Sequence, residues 1–146
     1  MENQMKGTQA TGTEKEIEFL FYDGDGYKPM IFHEGWKVAY LKYADRFDPD
    51  KVAKMERHLL TDEVFVLLEG KSFLIVGEDD RVCPMEKNRI YNVKKGVWHT
   101  ICVSKDALVL IVENAETGSS NTEYRCLSAV WKDSCSKAVC QLCEGR

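Results

Sequence analysis

The sequence predicts an all-β sandwich or barrel followed by a C-terminal helix. Three observations carry that prediction: short stretches whose apolar residues recur at every second position, turn residues spaced regularly between them, and no long helical pattern before Thr122. A chain of 146 residues is the size of one domain. At that length roughly 68–70% of the unfolded surface leaves water on folding, so one real core is expected.

Residues 1–14, rich in Gly, Thr, Gln and Lys without periodicity, read as a disordered tail. In Glu16 to Tyr22, Ile17, Phe19 and Phe21 alternate with Glu16, Glu18 and Leu20, which predicts a strand with one strongly apolar face. Asp23-Gly24-Asp25-Gly26 then makes a turn. Tyr27 to Phe32 and Gly35 to Tyr43 repeat the pattern. In the second, Trp36, Val38 and Tyr40 share one face and Ala39, Leu41 and Tyr43 the other, as in a packed sandwich or barrel.

Phe47-Asp48-Pro49-Asp50 breaks the run, and Met55 to Leu60 is a short extended piece. The Thr61-Asp62 bend precedes a strand over Glu63 to Leu68. Gly70 turns the chain into Ser72 to Val76, and Gly77-Glu78-Asp79-Asp80 makes a hairpin to Val82 to Glu86. Arg89 to Val93, Val97 to Val103 and Ala107 to Glu113 complete the series. From Thr122 onward Leu127, Val130, Trp131, Cys135, Ala138 and Leu142 recur every three or four residues, the spacing of one face of an amphipathic helix, although its start can also pair as a strand. The chain thus divides into a tail over 1–14, a barrel over 15–115 and a largely helical extension over 116–146.

A formal charge of -4 and a pI near 5.4 argue against a nucleic-acid backbone or an anionic membrane as main partner and leave small neutral or metal-bound ligands open. No apolar signal core occupies MENQMKGTQATGTEKE and no run is long enough to span a bilayer, so a cytoplasmic location is expected. The six cysteines (83, 102, 126, 135, 140 and 143) are then expected as reduced thiols, metal ligands or apolar fillers rather than disulfides. Cys140-x-x-Cys143 lacks a second such pair. On a helix Cys135 and Cys143 would stand about 12 Å apart along the axis, so thiols packed or exposed on that helix are preferred over a zinc site.

The stretch ERHLLTDEVFVLLEG, Glu56 to Gly70, holds one of three histidines between two acidic residues. Alternation puts Glu56 and His58 on one side of a strand and Arg57 on the other. The Thr61-Asp62 bend resets the direction, so that Glu63 shares its face with Phe65 and Leu67. His99 shares its face with Val97, Ile101 and Val103, an apolar company that belongs inside. If all four of Glu56, His58, Glu63 and His99 face inward, desolvation of each unpaired ion costs on the order of several kcal/mol. A divalent cation would neutralise both carboxylates and use both imidazoles, and such a donor set is compatible with Mn, Fe, Zn or Ni. His33, at a strand end beside a turn, reads as a surface histidine. Tyr40, Phe65, Tyr91 and Trp98 read first as core aromatics.

His58, four residues, Glu63, six residues and Gly70 resemble the first motif of the cupin superfamily, HxH, three or four residues, Glu, six residues, Gly; Glu56 replaces its first His. The second cupin motif, PxGxxH with an Asn four positions after the His, is similar to Gly96-Val97-Trp98-His99, with Lys94 in place of Pro and Val103 in place of Asn. The resemblance covers about residues 16–115 and is closest to small single-domain bacterial cupins. It implies a cupin double-stranded β-helix (jelly-roll) barrel, a metal at its centre and frequently a homodimer. His58, His99 and one carboxylate would make a 2-His-1-carboxylate set with open positions. Glu63 is the favoured carboxylate because it matches the motif. Glu56 is left as a fourth metal ligand, a catalytic proton carrier or neither.

The function so implied is that of a metal-dependent enzyme acting on a small oxygen-bearing metabolite by isomerase, lyase or dioxygenase chemistry. The alternative is a non-catalytic module whose barrel holds a ligand or only dimerises. A third reading, a scaffold whose C-terminal helix binds a partner, rests on Leu127 to Leu142 alone.

Overall fold

The computed structural model describes residues 9–13 and 16–128. Twelve strands run in chain order: β1 Gln9–Thr13, β2 Glu18–Phe21, β3 Tyr27–His33, β4 Trp36–Lys42, β5 Lys54–His58, β6 Glu63–Glu69, β7 Ser72–Val76, β8 Arg81–Pro84, β9 Ile90–Val93, β10 His99–Val103, β11 Leu108–Asn114 and β12 Thr122–Cys126. A hairpin of β1 and β2 stands apart from two five-stranded antiparallel sheets, ordered β12-β5-β10-β7-β8 and β3-β4-β11-β6-β9. The architecture is the expected all-β double-sheet barrel, with only two short 3-10 turns, Asp45–Phe47 and Ser119–Asn121, among the described residues.

The rows of the second sheet show where the core ends. Residues directly opposite one another on neighbouring strands share a face. One inward row is Leu41, Val109 and Leu67, and the next is Ala39, Ile111 and Phe65, all nearly inaccessible. The third row is polar: Lys37 on β4, Glu113 on β11 and Glu63 on β6 lie side by side, and all three are buried. Leu74, Ile101 and Val103 belong to the same cluster as the apolar rows. Each fully buried Leu, Ile or Phe contributes roughly 1.5–3 kcal/mol, so these layers stabilise the barrel and can support a polar layer at one end.

The first sheet is apolar on both sides. Phe73, Ile75, Cys102 and Met55 form a second buried cluster with Val52, joined by Val82, Trp98 and Leu127. Alternation along β7 and β10 sends Leu74, Ile101 and Val103 to the barrel interior and Phe73, Ile75 and Cys102 to this outer cluster. Gly70 makes the tight approach that closes β6: its φ is 74°, and a Cβ there would lie 2.6 Å from the Ala107 Cα. Only glycine fits that position.

Two boundaries differ from the sequence reading. Gln9–Thr13, inside the expected disordered tail, forms a strand paired antiparallel with Glu18–Phe21, with a register shift between Ala10 and Gly12. A backbone ladder needs no apolar composition, and composition was all the tail reading rested on. Thr122–Cys126, at the start of the segment read as a helix, takes the strand alternative: it is an edge strand whose Thr122 pairs with His58 and Tyr124 with Glu56. It supplies partners to the edge of β5, and Thr122 and Tyr124 are residue types that strands favour. Of the helix expected over Leu127 to Leu142, and of the Cys140-x-x-Cys143 pair, everything beyond Ser128 lies outside the described residues. No helix among the described residues is long and apolar enough to cross a membrane.

Candidate metal centre

Three local features bring the two motifs together. The bend after β5 is tied down by Asp62, whose carboxylate accepts hydrogen bonds from the Lys95 backbone N–H at 2.8 Å and from Asn92 Nδ2 at 3.0 Å. The Gly96 N–H donates to the His58 carbonyl at 2.8 Å, which joins the loop before β10 to the end of β5. Finally, His99 pairs directly with Glu56 across β10 and β5. Glu56 and His58 therefore reach the interior from one sheet beside His99, and Glu63 reaches it from the opposite sheet.

Ligand atoms of Glu56, His58, Glu63 and His99 all lie within 4.8 Å of one another. Glu63 Oε2 is 2.8 Å from His58 Nε2 and 2.9 Å from His99 Nε2. Glu56 Oε1 stands further off, at 3.7 Å from His58 Nε2 and 3.9 Å from His99 Nε2. Its side chain is 38% exposed, whereas those of His58, Glu63 and His99 are 7% or less. The structure thus separates the two acids: Glu63 is the buried hub, and Glu56 is at the rim.

The far side of each imidazole is held as well. His99 Nδ1 lies 3.0 Å from the Val97 carbonyl, which can only accept, so that nitrogen carries a proton and Nε2 is turned to Glu63. His58 Nδ1 lies 2.9 Å from Thr122 Oγ1 on β12. A carbonyl on the outer ring nitrogen fixes the tautomer of a metal-binding histidine, and the Thr122 hydroxyl, which can donate or accept, holds the orientation of the His58 ring. Phe65 closes the site below, its ring edge-on to His99 with centroids 5.9 Å apart.

Burial opposes the charge on Glu63, but hydrogen bonds from His58 and His99 outweigh it and bring the carboxyl down to about 2. For His58 and His99 burial likewise works against the charged ring, and the Glu63 carboxylate overcomes it, so both are raised above the ordinary imidazole value. Glu56 is raised, first by burial and then by the negative charge of Glu63.

The cluster opens on a cavity of about 510 Å³. Its wall includes three residues that the motif reading did not single out: Tyr27, Lys37 and Glu113. Glu113 Oε1 accepts a hydrogen bond from the Tyr27 hydroxyl at 2.6 Å and faces Lys37 Nζ at 3.5 Å. Burial, then the nearby Glu63 carboxylate, raises the Glu113 carboxyl to about 7. Parity aligns two of them with core residues, Lys37 with Ala39 and Leu41 and Glu113 with Val109 and Ile111, but does not by itself say which face is interior.

The donor set fits a dication. With its carboxyls ionised and its imidazoles neutral, the inner part of the cavity holds three carboxylates, Glu56, Glu63 and Glu113, against the Lys37 ammonium, while the other cations of the lining, Arg46, Lys51 and Lys54, are exposed at the rim. Two protons on the imidazoles or one divalent ion would balance that excess. His58, Glu63 and His99 would hold the ion, with Glu56 within reach as a fourth donor. Imidazole and carboxylate together suit a first-row transition metal.

The remaining candidates lie elsewhere. His33 is on the surface, 63% exposed and 3.8 Å from Glu34. Arg57 points away from the site, where it pairs with Glu123 and stacks on Trp98, whose ring also meets Arg125. Trp98 packs against the outer cluster, Tyr91 against the interior core, and Tyr40 on the outward face of β4 is half-buried.

No protein-family model matches the chain, and no curated protein matches its sequence. Solved structures do. A Streptomyces PAC13 variant with uridine is similar at a TM-score of 0.53 and 6% identity, over 88% of this chain and 93% of that one. KdgF from Halomonas sp. is similar at a TM-score of 0.50 and 13% identity, over 79% and 91%. A cupin-2 domain containing protein from Shewanella frigidimarina gives a TM-score of 0.47 and 19% identity, over 61% and 79%. Strand order and neighbours together define a double-sheet β-barrel with a buried histidine–carboxylate cluster at one end. The fold is shared with the PAC13 and KdgF structures, and it is the all-β double-sheet barrel that the sequence predicts.

Proposed function

We propose that this chain is a metal-binding cupin that acts on a small oxygen-bearing metabolite inside its barrel, by isomerase, lyase or dioxygenase chemistry. The observation that carries the reading is the convergence of Glu56, His58, Glu63 and His99 at a cavity of metabolite size, in a set whose charge calls for a dication. Bound Mn, Fe, Ni or Zn would supply Lewis acidity, or redox chemistry in the case of iron or manganese. His58 and His99 are oriented for ligation by Thr122 and Val97. Glu56, partly exposed at the rim with its carboxyl raised, is the group placed to move a proton to or from a ligand oxygen or carbon. The uridine held by PAC13 supports a small polar ligand as the occupant of such a barrel.

The test is elemental analysis of protein purified without added metal, repeated on His99→Ala and Glu63→Ala. Stoichiometric metal in the parent and its loss in both variants is expected. Absence of metal from the parent, with no rebinding of Mn, Fe, Ni or Zn, would sink the reading and leave a non-catalytic ligand-binding or dimerising module.

A homodimer is part of the proposal. Val38, Tyr40, Leu110, Val112, Val64 and Val66 occupy the outward face of the second sheet by register, and Ile31, Trp36 and Ile90 on the same sheet are exposed. An apolar face of that extent is a surface for a second copy. A cytoplasmic location, as expected from the sequence, belongs to the same proposal.

A further inference from the structure

Lys37 is out of place for a barrel interior. It is 6% exposed, and its neighbours on the same face of β4 are the core residues Ala39 and Leu41. Its ammonium donates to the Thr117 carbonyl at 2.9 Å and faces Glu113 Oε1 at 3.5 Å. A buried ion pair is not a good stabiliser, since apolar replacements of similar volume are often neutral or better. Stability therefore does not account for Lys37 and Glu113, whereas their position on the cavity wall suits recognition.

The pair also belongs to an ordered arrangement. Glu113 lies between Lys37 and Glu63 in one row across three strands, so Lys37 stands on the far side of Glu113 from the histidine cluster. The Tyr27 hydroxyl holds the same Glu113 oxygen that faces Lys37. The cavity therefore has two poles: the His58–Glu63–His99 cluster, built from both sheets, and the Lys37 ammonium on the second sheet. An ammonium has three N–H donors, and two acceptors, Thr117 O and Glu113 Oε1, are placed against it.

The rim supplies a second, independent observation. Arg46, Lys51 and Lys54 also line the cavity and are exposed, although the chain as a whole carries a net charge of -4. Lys51 is partnered by Asp45 at 3.1 Å. Basic groups around a cleft in an acidic protein raise the local concentration of anions.

We propose that Lys37 is the specificity-determining residue of the cavity, that it takes a carboxylate of the ligand, and that the ligand is accordingly a small organic acid with a second oxygen function directed at the histidine cluster. Glu113 and Tyr27 act as positioning residues for the ammonium. This deepens the proposed function and rests on that reading for the second oxygen, but the carboxylate contact itself needs no ion.

The test is calorimetric titration of the full chain with succinate, malate and pyruvate and with the uncharged diamides of the two diacids, in metal-loaded and chelator-treated protein. The parent is expected to prefer a diacid to its diamide by about tenfold or more, the scale of a charge-assisted hydrogen bond. Lys37→Met should abolish that preference while keeping the metal content of the parent. Lys37→Arg should retain the preference in part, and Arg46→Gln, an exposed change that does not threaten the fold, should weaken acid binding most at low salt.

Acid binding that persists after chelation but depends on Lys37 upholds the inference even if the metal reading fails. Metal without any Lys37-dependent acid binding overturns the inference and leaves the metal reading standing. Failure of all three acids to bind, or equal binding to Lys37→Met and the parent, also overturns it.

Discussion

Replacing Glu63 by Gln removes one negative charge and almost no volume from the centre of the buried cluster. Glu63 Oε2 holds both His58 Nε2 and His99 Nε2, at 2.8 and 2.9 Å, with all three side chains 7% exposed or less. Removing one partner of a buried, hydrogen-bonded ion pair costs about 3–5 kcal/mol. For a chain of this length that corresponds to a fall in Tm of roughly 6–20 °C. The loss should depend on pH, and its sign follows from the shifts.

Glu63 is lowered to about 2, so its contribution is present above its ordinary value of 4.5 and is lost as pH falls toward 2. His58 and His99 are raised above 6.5, so theirs is full below 6.5 and is lost as pH rises through the raised values. The gap between parent and Glu63→Gln is therefore widest near pH 6. It narrows as pH rises through the raised imidazole values, where a neutral imidazole Nε2 can accept a hydrogen bond from the Gln amide instead. Urea unfolding of chelator-treated protein at pH 6 and pH 9 measures it. A gap under about 1 kcal/mol at pH 6, the worth of an ordinary surface pair, or one that is equal at the two pH values, would refute the assignment of Glu63 as the hub.

Other perturbations separate orientation, backbone and surface. Thr122→Val keeps the β12 pairing but removes the Oγ1 partner of His58 Nδ1, and should weaken metal binding about 10- to 100-fold in a chelator competition assay. Gly70→Ala places a Cβ against Ala107 at a φ of 74° and should cost about 1–3 kcal/mol in urea unfolding. Ile90→Glu, at a residue 75% exposed on the outward face, should leave Tm nearly unchanged yet shift the mass by light scattering from dimer to monomer.

The histidine–carboxylate centre was legible because each ligand sits in a short local pattern. His58 and Glu63 flank one bend and His99 follows one turn, so alternation and spacing suffice to aim them. Lys37, Glu113 and Tyr27 were not legible in that way. They meet only through the pairing of β3, β4, β11 and β6, and register between distant strands leaves no mark on local sequence. Parity did associate Lys37 with Ala39 and Leu41, but Trp36, Val38 and Tyr40 form an equally apolar opposite face, so nothing local said which side was interior. Glu56 was legible in direction but not in depth: its face is correct, yet the 38% exposure that separates it from Glu63 comes from its place at the rim. The pairing of β12 with β5 is likewise a long-range fact, and through Thr122 it reaches the ring of His58.

The central claim is that His58, His99 and Glu63 share one metal ion, and X-ray absorption at the edge of whatever metal copurifies tests it most directly. The expected spectrum has only nitrogen and oxygen in the first shell, at about 2.0–2.2 Å, with the outer-shell scattering of two imidazoles that falls to one in His99→Ala. A sulfur shell at about 2.3 Å would place the ion on cysteines instead, and a spectrum unchanged by His99→Ala would contradict the account.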